Sequence, residues 1–165
     1  MEEILDPGPL GEAIARLALR KARAVAARHH TVLVVGADTV VVVDGEPLGK
    51  PSGPAEAAAM LRQLRGRVHE VMTGVAVVEA ATARAAVETV TSRVRMKPYA
   101  DADVDAYVAT GEPLDKAGAY AIQGAGGALV EALEGSWSNV VGLPLAATAE
   151  LLRRFGVAVS APPAE

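Results

Sequence analysis

The sequence predicts an α/β chain, and three observations carry that prediction. Valine-rich runs at Val32–Val35, Val40–Val43, Val68–Ala80 and Ala85–Val94 have the composition of strands. Segments with apolar residues at helical spacing, Leu10–Arg28 and Leu143–Phe155 among them, lie to either side. Asp44-Gly45 directly follows Val43 and is a strong two-residue hairpin signal.

The elements follow in order. Met1 to Pro9 is acidic with two prolines and reads as extended. In the first helix Leu10, Ile14, Leu17 and Val25 share a stripe, and Lys21 falls on it. Two readings of Lys21 stand: its stem packs while its head snorkels to water, or its ammonium reaches a site at the sheet. His29-His30 suit the helix end. Val32–Val35 reads as a buried strand and Val40–Val43 as a second run, with Gly36-Ala37-Asp38-Thr39 between them. Asp is depleted in strands and rarely buried alone, so Asp38 needs a metal, a cation or several donors. Lys50 follows the hairpin between Gly49 and Pro51. Asp38 and Lys50 could serve a metal-bound polyanion, or could form a structural ion pair.

Ser52-Gly53-Pro54-Ala55-Glu56 opens a helix with apolar Ala57, Met60, Leu61 and Leu64, and Gly66 closes it. Val68–Ala80 and Ala85–Val94 pair as an antiparallel hairpin. His69 and Thr73 could line a site, with a satisfied structural histidine as the alternative for His69. After Pro98, Asp101 caps a short helix carrying Val104, Tyr107 and Val108, which Gly111 stops. The stretch from Glu112 to Pro144 is dense in glycine, but Gly124, Gly126 and Gly127 lack the dinucleotide spacing, so a Rossmann site is not indicated. Leu129–Leu133 reads as a short strand. Residues 1–157 form one domain and 158–165 a loose tail.

Composition bounds the function. Hydrophobic residues make up 51% and aromatics 3%, so the core must be built from Val, Leu and Ala. A net charge of −4 without like-charge runs argues against a nucleic-acid partner. The absence of cysteine removes disulfides, thiolate metal sites and cysteine nucleophiles. No apolar stretch reaches membrane-spanning length, and the acidic start has no signal-peptide core, so no membrane partner and a cytoplasmic location are expected.

Several motifs resemble the Maf family of nucleoside triphosphate pyrophosphatases. They are Gly36-Ala37-Asp38-Thr39-Val40-Val41, Gly49-Lys50-Pro51, His69-Glu70-Val71-Met72-Thr73-Gly74-Val75, Asp115 to Gly124, and Asn139-Val140-Val141-Gly142-Leu143-Pro144. The resemblance is collinear from the first residues to the last helix. It implies an α/β fold related to inosine triphosphate pyrophosphatases, with an elongated mixed sheet flanked by helices and two lobes around a cleft. It also implies hydrolysis of a nucleoside triphosphate to the monophosphate and pyrophosphate. The Ala119-Tyr120-Ala121-Ile122-Gln123-Gly124 form resembles the dTTP/UTP branch. Family members open with a strand and a Ser-x-Ser-Pro-Arg-Arg loop that holds phosphate. Here Met1-Glu2-Glu3 falls where the family's later Val-Asp-Glu motif stands. The expectation is a chain that begins inside the domain, with a sheet edge that a homodimer could cover.

Beside the resemblance, the chemistry assigns roles. Water must attack the α-phosphorus while charge builds on the leaving oxygens, so positioning and neutralisation dominate. Asp38 is the candidate to orient the water, sharing a divalent metal, Mg2+ or Mn2+, with Glu3. Lys50 and Lys116 are candidates to neutralise phosphate oxygens. Thr39 and Gln123 are candidates for base recognition, since the amide of Gln123 offers a donor and an acceptor to the O4/N3 edge of uracil or thymine. Two alternatives stand: a nucleotide-binding protein impaired in catalysis, and a pyrophosphatase of the inosine triphosphate type with purine preference.

Overall fold

The computed structural model describes residues 8–160; expectations for Glu3, the acidic opening segment and the end of the tail lie outside the described residues. The elements run α1 (Leu10–Ala26), β1 (Leu33–Val43), β2 (Glu46–Leu48), α2 (Pro54–Leu64), β3 (Val68–Glu79), β4 (Ala85–Met96), α3 (Asp101–Ala109), β5 (Val130–Glu134), α4 (Trp137–Val141) and α5 (Leu145–Arg154). Three short 3-10 turns lie between α3 and β5. Among the described residues one five-stranded sheet has the order β2-β1-β3-β4-β5.

The resemblance implied a mixed sheet, but the described strands are antiparallel. β1 pairs with β2, and β4 with β5, in antiparallel register. β3 and β4 join through a tight turn in which the Glu79 amide donates to the Arg84 carbonyl. The start of β1 meets the end of β3, where the Ala80 amide donates to the Val32 carbonyl, and Thr39 meets Thr73 farther along. The expected hairpin forms at Asp44-Gly45, both at positive φ, with Val43 opposite Glu46.

The two valine runs on either side of Asp38 are one strand of 11 residues. Its first half is less buried than a valine run suggests: Val32 and Val35 are exposed, and only Val40–Val43 are fully buried. Period-2 alternation explains why Asp38 and Thr39 need not interrupt it, since each side chain finds a different face.

Residue contacts divide the chain into two compact units. The first holds the chain up to Thr39, Met72–Val90 and the chain from Ser138 onward; the second holds Val40–Val71 and Thr91–Trp137. In the first unit α1 packs Ala18, Ala22 and Ala26 against Ala76 and Val78. The opposite side chains of β3, Val75 and Val77, pack with Leu151 of α5, and Leu33, Ala37 and Phe155 join them. α1 buries Ile14 and Leu17 as expected, together with these alanines at i, i+4, and Val25 is exposed. Small residues were needed because backbones come very close: a Cβ on Gly36 would sit 2.7 Å from the Ala18 carbonyl oxygen, and one on Gly74 2.6 Å from that of Ile14.

In the second unit α2 buries Ala57, Met60, Leu61 and Leu64, and α3 buries Val104 and Tyr107. Pro54 occupies the first turn of α2 as expected. Asp101 is not the cap of α3. Ala100 holds that position, and its amide donates to the Asp103 carboxylate at 2.8 Å, while Asp101 pairs with Arg62 and Arg65. α4 was not expected: the last helix begins at Leu145, and the Ser138 hydroxyl accepts from its amide. Among the described residues no helix is long and apolar enough to cross a membrane.

Candidate functional site

In the first unit the close contact of α1 on Gly36 decides where Lys21 points. Lys21 neighbours Ala22, which lies against Gly36, and Asp38 is two residues farther along the same face of β1. The Lys21 ammonium forms an ion pair with Asp38 Oδ1. The Asp38 side chain is 13% exposed and that of Lys21 30%, so the pair is partly desolvated yet open to solvent. Of the two readings of Lys21, the structure realises the one that reaches the sheet. The cation on Asp38 comes from α1, where the sequence had suggested a pairing with Lys50.

Thr39 turns to the other face. Its hydroxyl lies 2.8 Å from that of Thr73, which donates to the Asn139 carbonyl at 3.2 Å. The Thr39 hydroxyl also donates to the Gly142 carbonyl at 3.4 Å, so the two threonine protons are shared among three contacts. Thr39 is thus tied into the fold through Thr73 and the Gly142 carbonyl. Thr73, expected to line a site, is fully buried in this chain of bonds.

In the second unit, the loops carrying Lys50 and Lys116 are tied together: the Gly118 amide donates to the Gly49 carbonyl at 3.0 Å. Lys116 forms an ion pair with Asp115 at 2.6 Å. The Lys116 ammonium, with a weaker contribution from Lys50, holds the Asp115 carboxyl below the usual carboxylate range. Both ammoniums therefore act on this carboxylate. A phosphate oxygen could compete for either ammonium.

His69 is 2% exposed, and its Nε2 shares a hydrogen bond of 2.8 Å with the Tyr120 hydroxyl. Its Nδ1 has no partner among the described residues, and burial pulls the imidazole down to about 4. It is a structural anchor for Tyr120, which stands between Lys116 and Gln123 in the chain. Gln123 is exposed on the turn that follows.

The sequence gives no sign of the hydrogen bonds that Tyr107 and Glu112 make. Tyr107 was assigned to the apolar side of α3, and nothing in its spacing shows that its hydroxyl receives the Ala121 amide at 3.1 Å. Among the described residues no three His, Cys, Asp or Glu side chains cluster to hold a metal.

Comparison with known proteins adds an independent line. A family profile described as Maf-like protein matches residues 2–155. A dTTP/UTP pyrophosphatase of Moorella thermoacetica is 54% identical over 151 residues, which cover 92% of this chain and 78% of the relative. One from Pelotomaculum thermopropionicum is 52% identical over 152 residues, covering 91% and 80%. One from Dictyoglomus thermophilum is 48% identical over 145 residues, covering 88% and 75%.

Proposed function

The chain belongs to the Maf family, and from that premise we propose that it hydrolyses dTTP and UTP to the monophosphate and pyrophosphate. The observation that carries the reading is the run of dTTP/UTP pyrophosphatases at about half identity along nearly the whole chain. The geometry supports it with a partly desolvated carboxylate on one strand and a pair of lysines on joined loops.

Asp38 orients the water that attacks the α-phosphorus, and Lys21 fixes the direction of its carboxylate. In-line attack forms a bond from water oxygen to the α-phosphorus and breaks the bond to the bridging oxygen, which leaves with pyrophosphate. Lys50 and Lys116 neutralise phosphate oxygens, and Lys116 exchanges Asp115 for the substrate as it does so. Gln123 reads the pyrimidine edge through its amide. Thr39 supports the strand.

We infer that Mg2+ or Mn2+ is delivered with the nucleotide. Such ions are held through one or two carboxylates with phosphate oxygens and water, and Asp38 supplies a carboxylate. When bound, the ion adds neutralisation of phosphate charge. We infer a cytoplasmic location, where nucleoside triphosphates are plentiful. The test is product analysis with dTTP, UTP, ATP, GTP and ITP in the presence of Mg2+. Monophosphate and pyrophosphate from dTTP and UTP are expected. Purine preference, or no monophosphate from any of them, would overturn the reading.

A further inference from the structure

We propose that Tyr107 and Glu112 form a positioning pair that places the Gln123 segment and so sets the preference for a pyrimidine base; the inference rests on the hydrolase reading above. Gln123 is bracketed. Two residues before it, the Ala121 amide donates to the Tyr107 hydroxyl at 3.1 Å. Two residues after it, the Ala125 amide donates to Glu112 Oε2 at 3.2 Å, and the Gly126 amide to Oε1 at 3.1 Å. The two holders are joined, because the Tyr107 hydroxyl donates to Glu112 Oε1 at 2.8 Å. Both ends of the segment thus hang from one hydrogen-bonded pair rooted on α3 and the turn after it.

The glycines around Gln123 follow from this arrangement. A Cβ on Gly124 would lie 2.7 Å from Glu112 Oε2, and that residue also has φ +94°. A Cβ on Gly126 would collide with the Tyr107 hydroxyl and the Ala121 carbonyl. The glycine density is that of a backbone drawn tightly onto two side chains.

The chemistry of position 112 is specific. Three donors converge on one side chain, and only a carboxylate accepts at both oxygens. Burial alone would raise the Glu112 carboxyl, but the bonds from Tyr107, Gly126 and Ala125, with the Lys116 charge, hold it below the ordinary range. Glu112→Gln turns one acceptor into a donor that faces another donor. Tyr107→Phe removes the hydroxyl and keeps the packing. Each releases one side of the bracket, and a displacement of Gln123 by a fraction of an ångström weakens its discrimination between bases.

The experiment compares wild type, Glu112→Gln, Tyr107→Phe and the double variant. Two quantities are read: kcat/KM for UTP and for GTP, and hydrogen exchange of peptides spanning 120–127. The UTP-over-GTP ratio should fall about tenfold in each single variant. The double variant should fall no further than the worse single one, because both act through one bracket. Exchange should quicken in residues 121–126 and not in α2 or β3. If wild type is selective and both single variants keep its ratio, the positioning proposal is overturned and the hydrolase reading stands. If wild type hydrolyses no nucleoside triphosphate, that reading fails. The pair is then judged by exchange: acceleration confined to 121–126 supports it, and unaltered exchange overturns it.

Discussion

Asp38 and Thr39 are consecutive in β1 and serve opposite faces of the sheet: Asp38 meets Lys21 on α1, and Thr39 meets Thr73 in a bonded chain that ends on α4. A strand gives neighbours opposite directions, so one dipeptide contributes a chemical group to one side and a structural bond to the other.

That division predicts two different phenotypes. Asp38→Asn keeps an oxygen for Lys21 and removes the charge, so turnover should drop by about two decades or more with the fold intact. Thr39→Val should leave turnover within a few-fold and cost about 1 kcal/mol of stability through the lost bond to Thr73. Steady-state rates and denaturant midpoints for both variants check this. Normal turnover in a folded Asp38→Asn protein would sink the assignment.

Lys21 is expected to act through Asp38. Lys21→Met preserves the stem that packs beside the helix and deletes the ammonium. The carboxylate then loses its anchor, and kcat should fall about tenfold with KM for UTP less affected. Lys21→Arg should recover part of the loss. Equal rates in the Met variant and wild type would mean that the pair serves stability alone.

Buried His69 predicts a pH dependence of stability. Its folded value of about 4 lies below the ordinary 6.5, so between these values the unfolded chain binds a proton that the folded chain does not. Stability is therefore complete above about 6.5 and is lost as pH falls toward 4. The span corresponds to about 3 kcal/mol. Urea midpoints of wild type and His69→Gln at pH 7.5 and pH 5 test it, and the variant should show a shallower fall. Parallel curves would assign the acid sensitivity to other groups.

Two glycines near α1 should respond with opposite signs. Gly36→Ala places a methyl 2.7 Å from the Ala18 carbonyl oxygen, and backbone cannot yield cheaply, so a loss of about 1–3 kcal/mol is expected. Gly11→Ala meets only the Thr89 methyl at 3.7 Å inside a helix, so it should gain about 0.5 kcal/mol. Midpoints from urea unfolding decide both, and a neutral Gly36→Ala would mean that α1 slides freely on the sheet.

Local signals in the sequence were read well. Asp44-Gly45 located its hairpin because two consecutive positive-φ residues have a strong compositional signature. Pro54 and Gly66 bounded α2 for similar reasons. Asp38 stood out because an acid inside an apolar run demands a partner. The identity of that partner was not legible, since Lys21 is 17 residues away and its direction is set by how closely α1 lies on Gly36. Ile14 and Leu17 lie on the buried face as their spacing predicts, but beyond them that face is Ala18, Ala22 and Ala26, and Val25 is exposed. The bonds of Glu112 were not legible, because they come from amides at residues 125 and 126.

The interleaving of the two units along the chain has a consequence for the order in which the protein can be made. The chain passes from one unit to the other inside β1, β3 and β4, and again at Ser138. A ribosome delivers residues in sequence, so Val75 and Val77 are synthesised long before Leu151, the residue that covers them. Until α5 emerges from the exit tunnel, that face of β3 is an uncovered apolar surface on a nascent chain. The second unit can close earlier, because its last segment ends at Trp137. Stalled synthesis between these two points would present a half-cored intermediate, the form in which holdase chaperones should bind this chain most readily.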